Sequence, residues 1–143
     1  MDRILDHSVN VISFEKNGKY YSMCCAWSMN VDYDKVVALL GAQSITGKNI
    51  LKGDIIGFSS LEKNQKDIAL KIGENHSDSE NKLEGINIEK KGSSITICNA
   101  KSECICEVID VLHLDEIEED NLIYLRVLSS KINDGCFLHM EDF

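Results

Sequence analysis

The stretch Val9-Asn10-Val11-Ile12-Ser13-Phe14-Glu15-Lys16-Asn17-Gly18-Lys19-Tyr20-Tyr21-Ser22-Met23-Cys24-Cys25-Ala26-Trp27 decides how this chain folds. Val9, Val11 and Ser13 alternate with Asn10, Ile12 and Phe14, the period-2 pattern of a strand. Asn17-Gly18 follows at once. Both central residues of a type I′ turn need positive φ, so Asn-Gly is the strongest short-range hairpin signal. The returning strand is expected over Lys19 to Met29, and its weak alternation points to burial on both faces. Asp32-Tyr33-Asp34 then makes a turn. Lys35 to Gly41 reads as a third strand, almost wholly apolar, as in the middle of a sheet or a barrel wall.

Further along, Ser44 can cap a short helix running to Leu51, closed by Gly53. A fourth strand is expected from Asp54 to Leu61. From Glu62 to Gly73, Ile68, Leu70 and Ile72 lie among Lys, Gln and Asp residues, the pattern of one amphipathic surface helix. Glu74 to Asn81 is polar and reads as a loop. Ser93 to Asn99, Glu103 to Leu114 and Leu122 to Ser129 are further strands, with an acidic turn at Glu116 to Asn121. The chain has no internal repeat, no low-complexity linker and no proline. One domain spanning residues 1–143 is expected. Strands joined mostly by short turns, with one good helix, favour a closed or nearly closed antiparallel barrel over an α/β sheet.

Composition narrows the function. With 43% hydrophobic and 27% charged residues, the chain is neither disordered nor a membrane protein by composition. Its longest apolar runs, such as Val36 to Leu40, are far short of the roughly 20 residues a membrane span needs. Asp2, Arg3, Asp6 and His7 interrupt any signal-peptide core at the N-terminus, so the cytoplasm is the expected compartment. A net charge of −9 repels nucleic-acid phosphates and anionic membranes, which argues against both as partners. In a reducing compartment the six cysteines are expected as thiols.

Several segments, taken in order, resemble the flavin reductase-like family of FMN-binding split barrels. Tyr21-Ser22-Met23-Cys24-Cys25-Ala26-Trp27 is similar to the family's Asn-Ala-Met-Thr-Ala-Ser-Trp segment. Ser44-Ile45-Thr46-Gly47-Lys48-Asn49-Ile50 follows at the place of its Ser/Arg-x-Thr-x-x-Asn-Ile element. Ser59-Ser60-Leu61-Glu62-Lys63-Asn64-Gln65 stands where the family has Asn-Val-Leu-Ser-x-x-Gln leading into a helix. Asn81-Lys82-Leu83 resembles Asp-Lys-Phe, Ala100 to Cys104 resembles Ala-x-x-x-Glu-Cys, and Glu119-Asp120-Asn121-Leu122-Ile123 resembles Gly-Asp-His-x-Leu-Phe. The likeness covers nearly the whole chain. Tyr21, Cys24, Ala26, Ser59 and Asn121 replace the family's Asn, Thr, Ser, Asn and His.

The resemblance implies a mainly β fold, a six-stranded antiparallel split barrel of Greek-key type with one or two flanking helices. It also implies a homodimer with FMN near the subunit interface. The implied function is redox: FMN receives electrons from NADH, NADPH or another carrier and passes them to free flavin, a metal complex or a redox protein partner. Met23, Cys24, Cys25, Ala26 and Trp27 are the implied flavin-facing strand, contacting the cofactor largely through backbone N–H groups. Ser44, Thr46, Lys48 and Asn49 are the implied phosphate cradle, where two hydroxyls, Gly47 and a helix start converge on a dianion. Ser59 and Lys82 complete the implied set.

Each residue also has a plainer reading. Ser44 merely caps a helix while Thr46 and Lys48 face solvent; without the resemblance that reading is preferred. Trp27 is either a flat wall for the isoalloxazine or a core side chain. Lys82 is either a phosphate contact or a solvated lysine. Cys24 and Cys25, being adjacent, point to opposite faces, whereas Cys104 and Cys106 share one. No Cys-x-x-Cys pair or zinc-spaced histidine is present, so buried thiols are favoured over a metal centre. His7, His76, His113 and His139 form no catalytic order. Three other readings compete with a nicotinamide-dependent reductase: an electron-transfer flavoprotein, a related barrel binding haem or pyridoxine phosphate, and a cofactor-free barrel.

Overall fold

The computed structural model describes residues 4–41, 44–74, 82–117 and 120–143. Among these residues nine strands are present: β1 (Asn10–Lys16), β2 (Lys19–Cys25), β3 (Ser28–Asp32), β4 (Lys35–Gly41), β5 (Ile55–Ser60), β6 (Ile88–Lys91), β7 (Ser94–Ile97), β8 (Ser102–Leu112) and β9 (Asp120–Ile132). Two helices join them, α1 (Ile45–Lys48) and α2 (Lys66–Glu74), the second preceded by a 3₁₀ turn at Lys63–Gln65. All ladders are antiparallel. The strand order is β3-β4-β9-β8-β5-β1-β7-β6, and β2 pairs with β1 beside this path.

The nine strands differ from the expected six, and the packing explains the number. One core is built from Ile12 and Phe14 of β1, Tyr21 and Cys25 of β2, Val36, Ala38 and Leu40 of β4, and side chains of β5, β8 and β9. Six strands therefore surround this core as the barrel wall. β3 and the β6–β7 hairpin lie outside it. β6, Ile-Glu-Lys-Lys, has one apolar residue and an exposed edge, so it carries no hydrophobic alternation to read.

A second core explains why β1 is buried on both faces. Val9 and Val11 face away from the barrel onto Leu61, Ala69, Ile72, Leu83, Ile95 and Ile97, so α2 and the β6–β7 hairpin cover the outer side of the wall. The C-terminal segment straps this layer: Leu138 N–H donates to Leu61 O, and Val9 N–H donates to Leu138 O. β7 comes so close to β5 that a Cβ on Gly57 would lie 1.7 Å from Ile95 O. Only glycine fits there.

Local chemistry sets the boundaries. Asn17 and Gly18 have φ of 55° and 78°, as the β1–β2 turn requires, and Lys16 pairs with Lys19 across it. The expected single strand Lys19 to Met29 breaks after Cys25, because the chain changes neighbours. β2 pairs with β1, whereas β3 pairs with β4. At the break, Leu39 N–H donates to Trp27 O at 2.8 Å. The first expected helix, Ser44 to Leu51, shrinks to Ile45–Lys48, since Asn49 turns back to cap it, its Nδ2 donating to Ile45 O. The second begins at a capping box in which Glu62 and Gln65 satisfy each other's backbone N–H groups. Most of the expected 74–81 loop and part of the 116–121 turn lie outside the described residues.

Candidate functional site

The C-terminal end of β2 and the break after it are where the candidate residues gather. Met23, Cys24, Cys25, Ala26 and Trp27 line a cleft of ≈ 360 Å³, closed on its other sides by His7, Leu39, Gly41 and Met140. Leu39 comes from the outer face of β4. Although β4 is nearly all apolar, only Val36, Ala38 and Leu40 point inward, leaving Val37 and Leu39 half-buried outside. Trp27 is 60% exposed, so it is a wall of this surface rather than a core side chain.

β2 offers backbone as well as side chains. Among the described residues it ladders with β1 alone, leaving its other edge open. Ser22 O lies on that open edge, where it accepts from Thr46 Oγ1 at 3.2 Å. Backbone groups of an antiparallel strand alternate between its two edges, so the Cys24 N–H shares the open edge with Ser22 O.

α1 stands against this edge. Ser44 caps it, its Oγ accepting from Gly47 N–H at 2.9 Å, and the same hydroxyl donates to Gly41 O at 2.8 Å and lies 3.8 Å from Met23 Sδ. Gly47 packs so tightly that a Cβ would sit 2.3 Å from Gly41 O. The expected cradle residues thus separate by role. Ser44 sits beside the cleft and Lys48 is exposed, whereas Thr46 is 2% exposed with its hydroxyl hydrogen committed to Ser22. Asn49 caps the helix end and its carbonyl accepts from Lys16 Nζ, which also pairs with Asp54.

The last two candidates fall elsewhere. Ser59 is fully buried on β5, its Oγ accepting from Ile97 N–H at 2.9 Å, so it joins β5 to β7 and lines no part of the cleft. Period 2 puts Ser60, not Ser59, on the barrel-facing side. Lys82 is buried rather than solvated, and its charge reaches Cys24.

The cysteines behave as their spacing dictates. Cys24 Sγ lies 3.5 Å from Ala69 O of α2, while Cys25 Sγ faces Leu39 O and Trp27 O, on the opposite side of the strand. Cys104 and Cys106 both pack on the barrel core. Burial pushes the Cys24 thiol up to about 11, with Lys82 opposing, and Cys25 and Cys106 up to about 12. These groups are neutral thiols at physiological pH and serve as small apolar side chains.

Sequence reasoning missed His7 and Met140, which close the cleft from the two ends of the chain. Met140 N–H donates to His7 O at 2.9 Å, a contact of residues 133 positions apart that no local pattern signals. No described helix is long and apolar enough to cross a membrane.

No family model matches the sequence, and no curated protein matches it. Solved structures do match. Flavin reductase PheA2 in its native state superposes with a TM-score of 0.78 at 19% identity, over 94% of this chain and 85% of that one. The flavin reductase of styrene monooxygenase from Pseudomonas putida S12 gives 0.76 at 17%, over 92% and 84%. An FMN-binding protein from Thermus thermophilus with bound 1-cyclohex-2-enone gives 0.79 at 13%, over 91% and 72%. At such identities the likeness concerns the backbone, and the fold of this chain is that of the flavin reductase-like, FMN-binding split barrels.

Proposed function

We propose that this chain is a flavin-binding redox protein that holds FMN in the cleft at Met23–Trp27. The observation that carries this reading is the meeting of five consecutive candidate residues, an open strand edge and the capped turn at Ser44 around one cleft. The residues suit the group. Met23, Trp27 and Met140 give an apolar wall for a flat ring, and the Cys24 N–H is a donor for the ribityl chain. Ser44 and the exposed Lys48 stand beside the place where a phosphate would rest. Thr46 acts one step back, holding α1 against β2.

Bound flavin would supply the hydride or electron transfer itself, so the protein need only bind and orient it. NADH or NADPH is the proposed donor, and free flavin, a metal complex or a redox protein the acceptor. The whole chain acts as one domain in the cytoplasm, where its buried cysteines stay reduced. A homodimer is proposed through the face carrying Trp27, Met29 and Val31, which are 60%, 60% and 50% exposed around the apolar cleft that Leu5, Val37 and Leu39 also line. The test is an anaerobic titration of FMN-reconstituted protein with NADH and NADPH. Bleaching of the flavin absorbance at one equivalent supports a nicotinamide-dependent reductase. A flavin that stays oxidised with both contradicts it.

A further inference from the structure

A second cavity, of ≈ 340 Å³, opens at the mouth of the barrel and shares no lining residue with the cleft at Met23–Trp27. Barrel mouths are common places for small ligands, and this volume lies at the small end of such sites. Val36 and Phe58 of the barrel core form the floor. Met29, Ile132 and Phe137 stand around it, 60%, 64% and 39% exposed.

One wall is polar. Asn10, only 1% exposed, donates through Nδ2 to Ser28 Oγ at 2.7 Å and to Cys25 O at 3.0 Å. Its Oδ1 accepts from Ser60 Oγ at 2.7 Å. This arrangement fixes the two serines. Ser60 has spent its hydrogen and keeps a lone pair to accept with. Ser28 already accepts from Asn10, and no described group accepts the hydrogen of its own hydroxyl. The wall therefore offers a donor at Ser28 and an acceptor at Ser60, held by a buried amide whose own capacity is used and to which Ser8 Oγ also donates, with Asn30 and Ser102 adding further polar groups to the lining.

Among the described residues the lining holds no Asp, Glu, Lys or Arg. His139 is its one titratable side chain, and its Nδ1 is engaged by Asp6 at 3.1 Å. A charged ligand would lose water here without gaining a partner. A purely structural role for Asn10, locking the starts of β1 and β3 to the end of β5, requires neither the apolar rim nor the uncommitted Ser28 hydrogen.

We propose that this barrel-mouth cavity binds a small neutral ring compound bearing a carbonyl and an N–H, such as an aromatic carboxamide. The ring lies on Phe58 and Val36, the carbonyl accepts from Ser28, and the N–H donates to Ser60. The proposal does not depend on flavin binding.

The test titrates ¹⁵N-labelled full-length protein with benzamide, benzoate and benzylamine, each with and without saturating FMN. Benzamide should give saturable shifts at Asn10, Ser28, Phe58 and Ser60, with a Kd on the order of a millimolar, whether or not FMN is present. Benzoate and benzylammonium should bind at least about tenfold more weakly. Ser28→Ala should weaken benzamide by about three- to tenfold, and Ile132→Ala, at an exposed rim position away from the proposed dimer face, should weaken it through the lost rim contact. The proposal is overturned by shifts confined to Met23–Trp27, by equal binding of benzoate, by no saturation up to about 10 mM, or by unchanged affinity in folded S28A and I132A.

Discussion

The Thr46 hydroxyl donates to the Ser22 carbonyl at 3.2 Å, which ties the short helix α1 to the open edge of β2. That single bond spends the hydrogen that a phosphate contact at Thr46 would need. The consequence separates two readings of one residue. Thr46→Ala should lower stability by about 1–2 kcal/mol, seen as a shift in urea midpoint, and Thr46→Ser should restore most of it. FMN and riboflavin should weaken by the same factor, because the β2 edge serves both. A loss restricted to FMN, read by flavin fluorescence, would return Thr46 to direct phosphate binding.

Gly57 is the tightest contact between the two layers. With a Cβ 1.7 Å from Ile95 O, Gly57→Ala cannot be relieved by moving a neighbouring side chain, since the atoms it meets are all Ile95 backbone. The variant should lose at least about 3 kcal/mol or fail to fold. Unfolding by urea near the wild-type midpoint would show that β7 can move away freely.

The buried thiols predict a behaviour at alkaline pH. Cys24, Cys25 and Cys106 are raised from an ordinary value of about 9 to about 11, 12 and 12. Unfolded thiols ionise first, so the stabilisation is complete below pH 9 and is lost as pH climbs toward 11–12. Urea midpoints measured from pH 8 to 11 should fall, and Cys106→Ala should flatten the fall. A Cys106→Ala slope identical to wild type would remove this thiol from the account. Cys24→Ser should leave the spectrum of bound flavin largely unchanged, because the contact proposed there is a backbone N–H.

The dimer proposal rests on the exposed apolar residues of β3 and on the outer face of β4. Sedimentation should report twice 16.0 kDa. Val31→Glu, at a half-exposed position outside the Met23–Trp27 cleft, should shift the mass toward the monomer while leaving the fold intact. A wild-type monomer at micromolar concentration contradicts the proposal.

Much of the barrel was legible because its signals are local. Asn17-Gly18 fixes the first hairpin, and the run Lys35–Gly41 is β4 to the residue. The break between Cys25 and Ser28 was hidden, since both halves are strand-like and only the change of partner from β1 to β4 divides them. β6 was hidden by its charges. Of the candidate site, Met23 to Trp27 line one cleft and Ser44 lies beside Met23, so the residues that the resemblance groups together are also close in space. Ser59 shows the limit: a one-residue shift on a strand exchanges faces, and Ser60 holds the position facing the barrel. His7 and Met140 were unreadable, because strap and cleft are joined only by the tertiary fold.

Trp27 is the chain's single tryptophan, and its exposed ring lines the proposed flavin cleft, so its indole N–H gives one isolated NMR signal at the place in question. Ring currents act only over the distance of direct packing, unlike fluorescence quenching, which reaches across the whole barrel. On titration with FMN this cross-peak should move and saturate at one flavin per chain, with the amides of Met23 to Ala26 moving alongside it. FMN that binds stoichiometrically while the Trp27 indole signal stays in place, or FMN that does not bind at all, would contradict the assignment of this cleft as the flavin site.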